Sequence, residues 1–238
     1  MSLRDGYNPF YVPEPAPHAG RPRITFSRDE VLHLMGAVAI LTLCFAFARE
    51  GGIQVASKGR PLGDVLLDSI PPLMDLLASF LAVGSGFVLH ELAHKVVAQR
   101  YGHWAEFRAQ FTNLLISLLL AAGTGFLFAA PGAVIIQGAV TRRENGLISL
   151  VGPGTNFLIA AATFPFTQVV DPSRPLPHTM AIVSIANAFL CVFNLLPFGP
   201  LDGRKVLRWN AFAYAAALLL ALGFIVLLYV RGVLYSTG

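Results

Sequence analysis

The chain has 238 residues, of which 55% are hydrophobic and only 13% charged, with 18 phenylalanines. Soluble domains carry about 25% charged residues, so this composition excludes a disordered chain and an ordinary soluble domain and points to membrane spans of about 20 residues. The net charge of +4 fits Lys and Arg in loops flanking such spans; no basic run or RNA-binding signature points to nucleic acid.

Residues 1–30 are polar and proline-rich, and predict a flexible tail. Val31–Ala48 is the first apolar run, followed by a mixed-charge loop over 49–71. A long helix is expected from Leu73 to Arg100, apolar over Leu76–Leu89 and ending in His90-Glu91-Leu92-Ala93-His94. The apolar stretch Leu114–Ala130 contains Gly123 and Gly125 and closes on Pro131-Gly132. Ala133–Val140 is short and β-branched, so it reads as a strand. A polar turn over 141–146 precedes a span at Leu147–Val169, and a proline-rich loop, 171–177, leads to another at His178–Leu196. The last span is Ala211–Val230. Cys44 and Cys191 lie inside apolar stretches and suggest no disulfide framework. The expected fold is an all-α polytopic membrane protein with five to six transmembrane helices, a small β-hairpin or edge strand and a re-entrant segment. Its domains are the tail, 1–30, and one membrane-embedded unit, 31–238.

The re-entrant segment comes from a charge count. With the N-terminus inside and Leu114–Ala130 returning to the side it left, twelve of the 17 Lys and Arg lie inside and five outside; if it crosses, the division is nine to eight. The positive-inside rule favours the first arrangement, and Gly123 and Gly125 suit a sharp reversal. The sequence therefore predicts a multi-pass protein of the cell membrane with a cytoplasmic N-terminus.

His-Glu-x-x-His is the strongest chemical signal. On a helix, His90 and His94 share one face and both imidazoles can bind one zinc ion, with Glu91 beside the metal as general base. Ionisable groups at the end of an apolar span are costly to keep there and imply function by default. His94 precedes Arg100 by six residues, about 9 Å of helix, which places the metal just inside the hydrocarbon region. A catalytic zinc takes three protein ligands and keeps one position open. His18, His33, His103 and His178 read as surface or interfacial residues. Asp75, on the same helix, lies about 22 Å from His90 and is out of reach. Spacing alone leaves Glu106 and Asp202 open as the third ligand.

His90–His94 in a membrane helix, Asn194-x-x-Pro197-x-x-Pro200-Leu201-Asp202-Gly203 downstream and Gly152-Pro153-x-x-Asn156 between them together resemble the site-2 protease family of intramembrane zinc metalloproteases. The likeness covers a core of about 73–208. It implies His90, His94 and Asp202 as ligands of one Zn2+ per chain, Glu91 as catalytic base, and Asn194 near the site, hydrogen-bonding the substrate backbone. The implied reaction is hydrolysis of peptide bonds within or next to transmembrane segments of membrane-anchored substrate proteins in the lipid bilayer. Three features depart from the family pattern: no PDZ-like or cystathionine-synthase-like regulatory domain fits the length, a hydrophobic insertion lies between Tyr101 and Gly146, and Arg204 stands where many relatives have a second glycine. The rival readings are a membrane metal transporter and a metal-binding, non-catalytic homologue. The first expects ionisable residues spread over several spans, and the second is opposed by the intact Glu91.

An extended substrate in dry surroundings needs backbone hydrogen-bond partners, and a free strand edge supplies them. Ala133–Val140 is expected to form an edge strand beside the zinc cleft, with Ile135 and Ile136 binding substrate through their backbone.

Overall fold

The computed structural model describes residues 24–52, 70–127, 131–168 and 175–235. Most of the expected tail and parts of the loops at 49–71 and 171–177 lie outside the described residues. Ile24 to Ser27 are not a free tail: Thr25 N–H donates to the Gln99 side chain at 3.1 Å, and the Gln99 amide donates back to Thr25 O at 3.3 Å.

Helix α1 (Arg28–Arg49) starts where Ser27 Oγ accepts the Glu30 N–H, with Asp29 and Glu30 in the first turn favouring the positive end of the helix dipole. The expected helix Leu73–Arg100 is one rod in three parts. Helix α2 (Leu73–Val83) passes through a π-helical turn, Gly84–Val88, into α3 (Leu89–Arg100). Strand β1 (Trp104–Ala109) follows, then α4 (Phe111–Thr124), β2 (Gly132–Gln137), α5 (Arg142–Gln168), α6 (Pro175–Asn194), the short α7 (Asp202–Trp209) and α8 (Ala211–Val230). A 3-10 turn, Val233–Tyr235, ends the described chain. Five helices are long and apolar enough to cross a membrane: α1, the α2–α3 rod, α5, α6 and α8. Helix α5 begins within the expected polar turn, because Thr141 and Glu144 form a reciprocal capping box: Glu144 N–H donates to Thr141 Oγ1 and Thr141 N–H to the Glu144 carboxylate.

Contacts between elements show which ends lie together. Arg49 at the end of α1 pairs with Asp75 at the start of the rod at 2.8 Å and meets His178 at the start of α6. At the opposite end, Ile24–Arg28, the end of α3, the hairpin and the start of α5 gather, together with α7.

Strands β1 and β2 pair antiparallel, Trp104 opposite Gln137 through Ala109 opposite Gly132. Between them the chain makes an excursion. Helix α4 has 14 residues, about 21 Å of rise, too short for a hydrocarbon core of about 30 Å. Its far end reaches that of α1: Gly125, left-handed at φ 72°, lies against Gly51 so closely that a Cβ would stand 2.4 Å from the Gly51 carbonyl carbon. The two feet of the excursion touch, Gln110 N–H donating to Pro131 O at 2.9 Å. The insertion therefore leaves and rejoins the hairpin at one place, as the charge count expects; the turn is made by Gly125, while Gly123 stays within the helix.

Hairpin placement follows from alternation. Ala105 and Phe107 face inward, with Val134 and Ile136 opposite them; Ala98 of α3 and Ile148 of α5 pack on that face. Ile135 points outward and is exposed.

Candidate metal centre

Helix α3 carries the two histidines on one face, and α7 brings Asp202 to them. His90 Nε2 and His94 Nε2 lie 3.3 and 3.0 Å from Asp202 Oδ2 and 3.0 Å from each other. All three residues are buried, with exposures of 4%, 8% and 6%, and among the described residues they form the only such group of three suited to a metal.

Their neighbours fix the tautomers. Asn156 Nδ2 donates to Gly86 O at 3.1 Å, which turns its Oδ1 toward His90 Nδ1 at 2.9 Å. His94 Nδ1 lies 2.6 Å from Ile148 O. Both partners can only accept, so both Nδ1 atoms carry the proton and both Nε2 atoms present lone pairs. Two lone pairs and a carboxylate oxygen converging in a buried place repel one another unless a cation lies among them. Metal bonds of about 2.0–2.1 Å at tetrahedral angles set donors roughly 3.3 Å apart, close to the spacing found. The donor set fits Zn2+.

Two glycines permit this convergence. At Gly152 of α5, a Cβ would sit 2.4 Å from His94 Nε2 and 2.7 Å from His90 Cε1, so any side chain would fill the space the histidines need. At Gly203 a Cβ would meet Leu195 O at 2.1 Å, so only glycine lets α7 start against the end of α6 and hold Asp202 in place. Lys205, whose Nζ lies 3.2 Å from Asp202 Oδ1, gives the carboxylate a cationic partner, and a carboxyl group must be ionised to serve as a metal ligand.

Glu91 stands beside this group within electrostatic reach of His94, His90 and Asp202, and its Oε2 accepts the Val134 N–H of β2 at 3.2 Å. The other expected residues are distributed plainly. Glu106 pairs with Arg108 on β1, where Ala105 and Phe107 alternate with these charges at a period of two, a strand signal present in the sequence. His33 Nδ1 accepts the Ala109 N–H and His103 faces Glu144. Asn194 ends α6 with its amide donating to Leu190 O at 3.0 Å, and among the described residues no hydrogen bond joins it to His90, His94 or Asp202. Asn156 belongs to the motif in the sequence, but its task, orienting His90, is visible only here.

No protein-family model and no solved structure matches the chain. A protein of Methanocaldococcus jannaschii, MJ0611, named as a candidate zinc metalloprotease, is 40% identical over 200 residues, covering 84% of this chain and 94% of its own length. The chain belongs to that zinc metalloprotease family. It is also 30% identical over 174 residues to Rip2 of Mycolicibacterium smegmatis, covering 66% of this chain and 67% of that one, and 31% identical over 139 residues to YwhC of Bacillus subtilis, covering 51% and 64%. Both names describe candidate zinc metalloproteases. In this metalloprotease the metal is Zn2+, and His90, His94 and Asp202 form the group suited to hold it.

Proposed function

We propose that this zinc metalloprotease acts in the manner of a site-2 protease, hydrolysing peptide bonds within or next to transmembrane segments of membrane-anchored proteins. The observation that carries the reading is the position of the centre. His90, Glu91 and His94 belong to Leu73–Arg100, one of the five helices long and apolar enough to span the bilayer, so a substrate must reach them at membrane depth.

When bound, zinc polarises the scissile carbonyl and makes water acidic enough to be deprotonated near neutral pH. Glu91 accepts the proton of the attacking water as its oxygen bonds to the carbonyl carbon. Glu91 then delivers that proton to the amide nitrogen as the C–N bond breaks. Asn156 and Ile148 O keep both imidazoles oriented throughout.

The substrate binds as an added strand on β2. The outer edge of β1 is already taken: Phe107 N–H donates to Glu30 Oε1, Ala109 N–H to His33, and Ala105 O accepts from Gln99. Since these groups point away from β2, antiparallel alternation pairs Glu106 with Ile135 by hydrogen bonds and leaves the N–H and C=O of Val134 and Ile136 on the open edge. Val134 N–H reaches Glu91, so the open edge faces the catalytic carboxylate. Ile135 and Ile136 thus differ in role: Ile136 offers its backbone to the substrate, whereas the backbone of Ile135 is spent on β1. Asn194 is kept as a proposed substrate contact on the resemblance alone.

The test is cleavage of a membrane-inserted single-span substrate by the zinc-loaded protein in lipid discs, beside a soluble peptide of the same cleavage sequence. Cleavage of the soluble peptide alone would overturn the intramembrane reading while leaving the metalloprotease intact.

A further inference from the structure

Arg142, Asn145, Lys205 and Arg208 line a cavity of about 450 Å³ between the start of α5 and α7. Three of the four are cations, and none of the lining residues is acidic. Among the described residues Arg142 and Arg208 have no carboxylate partner. Arg142 is held in place by its own hydrogen bond to Arg208 O across the cavity wall. The acids on the same two helices' first turns are engaged elsewhere: Glu144 turns back to Thr141 and His103, and Asp202 faces the histidines. Lys205 alone is shared, its Nζ lying 3.2 Å from Asp202 Oδ1.

Two guanidinium groups without a carboxylate partner, beside an ammonium shared with Asp202, leave positive charge unmatched, and an anion with several acceptor oxygens would answer it through charge-assisted hydrogen bonds. Guanidinium groups and a side-chain amide suit the fork of a phosphate. The cavity also lies where the candidate spans α5 and α8 begin, at Arg142 and Ala211, the level at which phospholipid headgroups sit. We propose that this cavity is a binding site for a phosphate group, separate from the zinc centre and joined to it through Lys205.

Lipid headgroup and free phosphate share this chemistry, and binding to the zinc-loaded full chain in phosphatidylcholine discs separates them. One arm adds about 10% phosphatidylglycerol to the discs; the other adds inorganic phosphate. Thermal stabilisation of the protein is followed in both, together with lipid retained by the protein in native mass spectrometry. The wild type should gain stability in at least one arm. Arg142→Gln with Arg208→Gln should weaken that binding about tenfold or more, since each guanidinium contributes charge-assisted bonds. Arg143→Gln with Arg204→Gln removes the same charge from neighbouring exposed positions that do not line the cavity, and should change it less than twofold. A response in the lipid arm alone assigns the site to a headgroup, and a response to phosphate in neutral discs assigns it to the free anion. No response in either arm, or equal losses in the two double variants, overturns the proposal. Zinc content, measured on every variant, distinguishes this outcome from failure of the metal centre.

Discussion

At the scale of single residues, the proposed chemistry divides between groups suited to hold the metal and one, Glu91, proposed to move a proton. Glu91→Gln keeps the size of the side chain and removes the base. It should retain full zinc and lose roughly 100- to 10,000-fold in turnover, the span usual for a general base, measured by single-turnover cleavage beside metal analysis. Substantial residual turnover would show that another group takes the proton. Asn156 makes a different prediction. It orients His90 without touching the metal, so Asn156→Ala should weaken zinc binding about 10- to 100-fold in a chelator competition. Unchanged affinity would mean that packing alone positions the ring. His90, Glu91 and His94 were legible in the sequence because one helical turn sets their geometry. Asp202 was not: it lies more than a hundred residues away, and spacing left it level with Glu106; the resemblance implies it, and the packing of Gly203 against Leu195 brings it to the two histidines.

At the scale of elements, the hairpin is the part whose role depends most on register. Ile136→Pro removes a donor from the open edge, where proline is tolerated, and should cripple cleavage while zinc content and melting temperature hold. Ile135→Pro removes a bond to β1 and should lower stability as well. If alanine at position 136 does as much harm as proline, the side chain matters there and strand addition is wrong. The hairpin is tied to the zinc helix by Glu30, whose two carboxylate oxygens take the Lys95 ammonium and the Phe107 N–H. Both ion-pair side chains are fully buried. Lys95→Met alone should destabilise by about 3–5 kcal/mol, because it strands a buried charge, and adding Glu30→Gln should restore part of that loss. Melting in detergent across the double-mutant cycle checks this; equal losses in the single and double variants would contradict it. Nothing local announced this tie, since Glu30 sat in what read as the end of a flexible tail and its partners lie 65 and 77 residues away.

At the scale of the whole molecule, the excursion through α4 is where the topology is to be tested. Its feet lie side by side, so Ala109 and Asn145 belong to one face. In a chain with Cys44 and Cys191 replaced, Ala109→Cys and Asn145→Cys should both react with an impermeant thiol reagent from the same side of sealed vesicles. Labelling from opposite sides would mean that the segment crosses.

Sequence by itself determined the properties that are local or additive along the chain. Long apolar runs specify spans because every buried backbone group must bond within its own helix, and His-Glu-x-x-His puts two imidazoles and a carboxylate together because helical spacing is fixed. The excess of Lys and Arg at one end pointed to the returning insertion before its feet could be seen to meet. Only the tertiary structure decided what depends on distant segments touching. It brought Asp202 to the two histidines, gave Asn156 and Ile148 O to the same rings, closed the edge of β1 and left that of β2 facing Glu91. Each of these requires a backbone approach, at Gly152 and Gly203 above all, that is set by how whole helices pack and not by any period in the sequence.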